Sequence, residues 1–193
     1  MKINDVHYNR FNIPVVISPN VYADSLIEDP VKIFVMINYN WGIGHTGLVV
    51  GESEEALLYD PSGGYGECGS DDCFSSIELY RIPRSAGEFF NYPEFTWDDY
   101  LSFQKWDGED IQIIEFTVPR AQAEKITELI YNHGMAGWAM CSDTVFTILK
   151  QSGGIFSSLE ANLLMCEDPW TLRHKLLELY FPSTRGFMTY TIK

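Results

Sequence analysis

Three side chains in this sequence, Cys141, His45 and Asp60, are of the types that build a nucleophilic catalytic site. A thiolate attacks a carbonyl carbon, an imidazole carries the proton, and a carboxylate orients the imidazole. Cys141 begins an apolar pattern with helical spacing, and unpaired amides at the start of a helix favour the thiolate. Buried structural cysteines are also common, so Cys141 predicts a nucleophile only together with its partners.

His45 and Asp60 lie fifteen residues apart in the chain, and each adjoins a short apolar run. His45 precedes the run at residues 47–50, and Asp60 follows the run at residues 56–59. The polar residues between these runs are typical of a turn, so we expect two adjacent antiparallel strands. Asp60 would then accept a hydrogen bond from one ring nitrogen of His45 while the other nitrogen faces the thiol.

The elements that must position these side chains follow from the hydrophobic periodicity. Strands are predicted at residues 13–17, 31–39, 46–50, 56–59, 76–82, 111–118 and 187–192. Helices are predicted at residues 121–133, from Cys141 to the glycine pair 153–154, and from an Asp168 cap with Pro169 in first position through residue 177. The fold class is therefore α+β, with an antiparallel sheet packed against helices in one domain over residues 1–193.

The segment at residues 89–108 is unusually rich in aromatic side chains. Thr96 is placed to cap a short helix over residues 97–104. We interpret the segment as an insertion or the edge of a lid that packs on the sheet.

Charge and composition exclude several classes of function. Thirteen Lys and Arg residues against twenty-seven Asp and Glu residues give a net charge of -14, which repels nucleic acid and anionic lipid. No apolar run has the length of a signal peptide or a membrane span. We therefore expect synthesis in the cytoplasm, no nucleic-acid partner and no membrane insertion, while export by a route without a cleaved signal remains open.

No metal or cofactor is expected. Cys68 and Cys73 lie five residues apart in a polar loop, where a local disulfide remains open, but the second ligand pair of a zinc site does not follow. The glycines at residues 42–47 fit the spacing of a dinucleotide-binding loop. That motif requires a helix directly afterwards, whereas here an apolar run typical of a strand follows.

The order of these features resembles that in permuted papain-like cysteine hydrolases. A strand headed by His45, a strand ending in Asp60, a strand that ends at Pro119 and feeds a helix, and a helix opened by Cys141 follow one another. The families include the lecithin retinol acyltransferase-like proteins and bacterial permuted relatives of the NlpC-type cell-wall peptidases. The similarity spans residues 31 to 155.

The resemblance implies a papain-like fold and attack by the Cys141 thiolate on an amide or ester carbonyl, with His45 as base and Asp60 as its orienting group. It also implies that the Cys141 amide forms part of an oxyanion hole, for which the completing side chain is sought among Trp41, Asn132 and Trp138. Many members have Asn before the nucleophile, whereas this chain has Met140. We expect the thiol at the wall of an open groove.

The resemblance leads to an expected function. The first expectation is an amidase or endopeptidase for peptidoglycan peptides, used as an antibacterial secretion-system effector, with a cognate immunity protein or the secretion machinery as partner. A protein-directed deamidase or peptidase and a thiol acyltransferase remain open, because they share the nucleophile and differ in the substrate. A papain-like binding module without catalysis remains open as well.

Overall fold

The computed structural model describes residues 6–8, 14–16, 27–39, 44–61, 65, 88–108, 110–133, 140–161 and 167–180. The strands are β1 (Val6–Tyr8), β2 (Pro14–Val16), β3 (Pro30–Asn38), β4 (His45–Val50), β5 (Leu57–Asp60), β6 (Glu88–Asn91) and β7 (Ile111–Pro119). The helices are α1 (Trp97–Asp107), α2 (Arg120–His133), α3 (Cys141–Ser152) and α4 (Pro169–Tyr180).

The strands form one sheet in the spatial order β1-β2-β7-β3-β4-β5-β6. From β7 to β6 each strand runs antiparallel to its neighbour, whereas β2 runs parallel to β7 and β1 antiparallel to β2. The predicted α+β class, with an antiparallel sheet and helices, is confirmed. The hairpin predicted between His45 and Asp60 is present as β4 and β5. Strand β4 begins at His45 and contains Gly47, so a strand stands where the dinucleotide-binding motif requires a helix.

Apolar side chains are buried on both faces of the sheet. Successive side chains of a strand point to opposite faces, so one strand contributes to both clusters. In β3, Ile33, Val35 and Ile37 pack with the apolar side chains of α2, α3 and α4 in one core cluster. Phe34 and Met36 point to the other face, where they pack with Tyr100 and other side chains of α1 in a second cluster. Helix α3 therefore lies on one side of the sheet and helix α1 on the other.

The helix ends follow the predicted capping chemistry. Thr96 Oγ1 accepts a hydrogen bond from the Asp99 amide at 3.2 Å at the start of α1. Helix α3 ends at Gly153, whose φ of 76° lies in the left-handed region that favours glycine. Helix α4 begins at Pro169, and Asp168 Oδ1 accepts from the Thr171 amide at 2.7 Å.

The aromatic segment at residues 89–108 contributes a strand to the sheet, which its interpretation as an insertion or the edge of a lid did not include. Residues Glu88–Asn91 form β6, which pairs with β5, and α1 extends to Asp107 and packs on the sheet. Four residues are too few for strand periodicity to stand out among neighbouring aromatics. Strand β1 was not predicted either, and the predicted strands at residues 76–82 and 187–192 lie outside the described residues.

We predict that Phe156→Ala destabilises the fold by about 3 to 5 kcal/mol, because it leaves a cavity in a close-packed core. Phe156 is fully buried and packs edge-to-face on Phe116, with ring centroids 4.9 Å apart. Urea unfolding measures the change. Ile155 lies in the same short 3-10 helix but is 43% exposed, so Ile155→Ala serves as the control; equal losses in the two variants would contradict this packing.

Candidate active site

The β4–β5 hairpin places the imidazole and the carboxylate on one face of the sheet. Leu48 pairs with Tyr59, so one step further along this register Gly47 lies opposite Asp60. His45, two residues before Gly47, points to the same face. His45 Nε2 lies 2.6 Å from Asp60 Oδ1. The antiparallel register therefore brings these two side chains together as the sequence predicted.

Asp60 is almost completely buried, with 1% of its surface exposed. Besides the His45 ring, its carboxylate accepts from the Tyr100 hydroxyl at 2.8 Å on Oδ1 and from the Tyr65 amide at 3.3 Å on Oδ2. A buried carboxylate requires such partners, because its desolvation is costly. The ionised form of Asp60 is thus stabilised by hydrogen bonds on both oxygens.

The thiol of Cys141 lies at the start of α3, beside the start of β4. It interacts with the His45 ring and with the backbone amide of Thr46. Because Asp60 holds Nε2 of His45, Nδ1 is the nitrogen that remains for the thiol. Ser142 Oγ lies 3.9 Å from Cys141 Sγ and 2.7 Å from Thr46 Oγ1, so the serine joins the helix to the strand directly beneath the sulfur.

These contacts favour the thiolate. Burial raises the pKa of Cys141, but the hydrogen bond and charge of His45, with the Thr46 amide and the Ser142 hydroxyl, outweigh it and lower the pKa below its ordinary value. The first amides of a helix have no intrahelical acceptor, and they add to this preference. The sulfur is therefore in surroundings suited to a nucleophile.

His45 and Asp60 extend this arrangement to three neighbouring groups of alternating charge. Burial would lower the pKa of His45, but the Asp60 carboxylate and then Cys141 raise it well above its ordinary value. Burial would raise the pKa of Asp60, but the charge and hydrogen bond of His45, followed by Tyr100 and Tyr65, lower it. Thiolate, imidazolium and carboxylate therefore stabilise one another.

One geometric expectation is wrong. Cys141 is only 4% exposed and His45 only 9%, so the thiol does not line an open groove. Among the residues considered for the oxyanion hole, Asn132 is exposed in the last turn of α2, and Trp41 and Trp138 lie outside the described residues.

Sequence reasoning missed Tyr100, Tyr65, Thr46 and Ser142. Ser142 was recognisable only as the neighbour of the thiol. Tyr100 stood among many aromatics, and its bond to Asp60 spans forty residues of chain. A contact of that kind depends on how α1 packs on the sheet, and no local pattern predicts it.

The start of α4 forms one side of the site. The Glu167 amide donates to Asp143 Oδ1 at 3.3 Å in the first turn of α3. A Cβ atom added at Gly44, directly before His45, would lie 3.0 Å from the Pro169 side chain. The next residue, Trp170, is 57% exposed and stacks on Tyr39 with ring centroids 3.6 Å apart. An exposed aromatic surface therefore lies near the start of β4.

Comparison with known proteins adds no relative: no protein-family model, curated protein or solved structure matches this chain. Among the described residues, no cluster of three or more His, Cys, Asp or Glu side chains is arranged to hold a metal ion. The helices described here also include none with the length and hydropathy needed to cross a bilayer.

We predict that alkylation of Cys141 by iodoacetamide reaches half its maximal rate at a pH below that of an ordinary thiol, because His45 stabilises the thiolate. His45→Ala should move the midpoint upward, since the largest opposition to the effect of burial on the pKa of Cys141 is then lost. Mass spectrometry of the labelled peptides measures the rate, with Cys68, Cys73 and Cys166 as references.

The matched control is His174→Ala, because the His174 side chain is 75% exposed. It should leave the midpoint of Cys141 where it is in the wild type. An unchanged midpoint in His45→Ala would contradict the proposed thiolate–imidazolium pair.

Proposed function

We propose that this protein is a cysteine hydrolase of the permuted papain-like type, in which Cys141 attacks an amide carbonyl. The observation that carries the proposal is the thiol at the first residue of α3, which interacts with an imidazole whose Nε2 lies 2.6 Å from a buried carboxylate. This is the geometry by which nucleophile, base and orienting group are recognised on unrelated folds.

In the proposed reaction the thiolate forms a bond to the carbonyl carbon, and the negative charge passes to the carbonyl oxygen. In this proposal the unpaired amides in the first turn of α3 stabilise that oxyanion. His45 gives its proton to the leaving amine, and the C–N bond breaks to leave a thioester on Cys141. His45 then removes a proton from water, which attacks the thioester. The C–S bond breaks, the acid leaves, and the Cys141 thiolate is restored beside the protonated His45.

A binding module without catalysis has less support, because the arrangement is costly to maintain. Asp60 and Cys141 are 1% and 4% exposed, and buried charges cost more than apolar side chains of similar volume. A binding protein gains nothing from a thiol whose pKa is lowered, whereas a nucleophile requires it. The stability that the fold loses by burying these three groups is therefore better explained by a catalytic role.

The substrate that we propose first is the peptide of peptidoglycan, cleaved by an amidase or endopeptidase that serves as a secreted antibacterial effector with an immunity protein as partner. The support is the order His45, Asp60, Cys141 in strand, strand and helix, which resembles that in cell-wall peptidases of the permuted type. A protein-directed deamidase, peptidase or acyltransferase would use the same attack, and only the bound substrate or acyl acceptor separates these activities.

The direct test is to incubate purified peptidoglycan fragments with the wild type and with Cys141→Ala and to analyse the products by mass spectrometry. Cleavage by the wild type alone, with water added across one amide bond, supports the peptidoglycan activity. Intact fragments together with a reactive Cys141 would overturn this substrate and direct the same assay to protein amides. Equal cleavage by both proteins would contradict the nucleophile.

We predict that Cys141→Ala and His45→Ala each reduce turnover by on the order of 10³-fold or more, because nucleophile and base act as one unit. The double variant should be no worse than either single one. Asp60→Asn should lose less and keep measurable activity, since the carboxylate orients the ring without exchanging bonds. Turnover rates measure these losses, with circular dichroism as a check of folding. If the losses of the two single variants were additive in the double variant, Cys141 and His45 would not act as one unit.

A further inference from the structure

Tyr100 reaches the site from α1, an element that carries none of the three chemical groups. Its hydroxyl donates to Asp60 Oδ1 at 2.8 Å, and the same oxygen lies 2.6 Å from His45 Nε2. The Tyr100 side chain is fully buried, so it contacts the carboxylate and has no exposed surface for a substrate. Asp60 Oδ1 is therefore held between the base and a hydroxyl group of a separate helix.

Gly47 in β4 leaves the space that the Tyr100 hydroxyl occupies. A Cβ atom added at Gly47 would lie 2.2 Å from the Tyr100 oxygen and 3.2 Å from the adjacent ring carbon. Side-chain contacts that short do not occur in proteins, and the hydroxyl would have to leave Asp60. Glycine weakens a strand interior and is found where another group must approach closely, which accounts for its presence beside the site.

The side-chain amides of Gln104 and Asn38 connect Tyr100 to the strand opposite His45. The Gln104 side chain, one turn further along α1, interacts with the Tyr100 hydroxyl, and its Oε1 accepts from Asn38 Nδ2 at 3.1 Å. Asn38 Nδ2 also donates to the Gln104 carbonyl at 2.7 Å, and Asn38 is the cross-strand partner of His45. A polar chain thus starts beside His45, crosses α1 and returns to His45 through Asp60.

The Tyr100 hydroxyl remains a donor at every pH at which the site would act. Burial, followed by the charge of Asp60, raises the pKa of Tyr100 well above its ordinary value, so the phenol keeps its proton. Tyr65 holds Asp60 Oδ2 through a longer bond of 3.3 Å. Loss of the Tyr100 bond would leave the plane of the carboxylate fixed by one weak contact and by the imidazole that it has to orient.

We propose that Tyr100 is a positioning residue that fixes the Asp60 carboxylate, and through it the His45 imidazole, along a path kept open by Gly47. This inference rests on the proposed function of the Cys141–His45 pair. It assigns α1 a role in reactivity as well as in packing. The role is transmitted through Asp60, so it should disappear when Asp60 is absent.

The test is a double-mutant cycle of Tyr100→Phe and Asp60→Ala, measured as the rate constant for alkylation of Cys141 by iodoacetamide at neutral pH. Tyr100→Phe should slow alkylation by about 3- to 10-fold, less than the full worth of a hydrogen bond to a charged group, because the effect reaches the thiol only through Asp60 and His45. In the Asp60→Ala background the same change should have no further effect. Urea unfolding of each variant shows whether it folds.

Tyr59→Phe is the matched control. Tyr59 is fully buried and precedes Asp60, but it packs in the core cluster on the other face of the sheet. It should leave the alkylation rate unchanged. Gly47→Ala provides a second variant in case Asp60→Ala does not fold, and it should slow alkylation as Tyr100→Phe does, with little added effect when the two are combined.

Each outcome decides the inference. Slowing by Tyr100→Phe only when Asp60 is present supports it. Equal slowing in both backgrounds would mean a merely structural tyrosine, and no slowing would mean that the hydroxyl is dispensable; either result overturns the inference while the wild-type thiol stays reactive. A wild-type Cys141 no more reactive than the other cysteines would overturn the proposed function, and the inference with it.

Discussion

The site depends on one buried carboxylate. Asp60 has 1% of its surface exposed, so its charge persists only because His45, Tyr100 and Tyr65 supply hydrogen bonds. Each donor comes from a different part of the chain: the start of β4, helix α1 and the loop after β5. The sheet register and the packing of α1 therefore both serve to satisfy Asp60.

The charge of Asp60 determines what the other two groups can do. A buried imidazole without a carboxylate would be neutral, because burial lowers the pKa of His45. With Asp60 beside it the ring holds a positive charge, and that charge lowers the pKa of the Cys141 thiol against the effect of its own burial.

Much of this arrangement follows from local sequence. Two apolar runs around a polar turn predict the hairpin, and helical periodicity predicts that α3 begins at Cys141. Both features occur in the structure. The role of Tyr100 and the burial of the thiol could not be predicted, because they arise where α1 and α3 pack on opposite faces of the sheet. Periodicity identifies which face of an element is buried but not which polar atoms meet there.

The central claim is that His45 is a cation held between a carboxylate and a thiolate. NMR titration of ¹³C-labelled histidine tests it directly, because the chain has four histidines and His45→Gln assigns the signal of interest. The account predicts that His45 titrates well above 6.5 and that Cys141→Ala lowers its midpoint. A His45 midpoint at or below 6.5 in the wild type, as burial alone would impose, would contradict it.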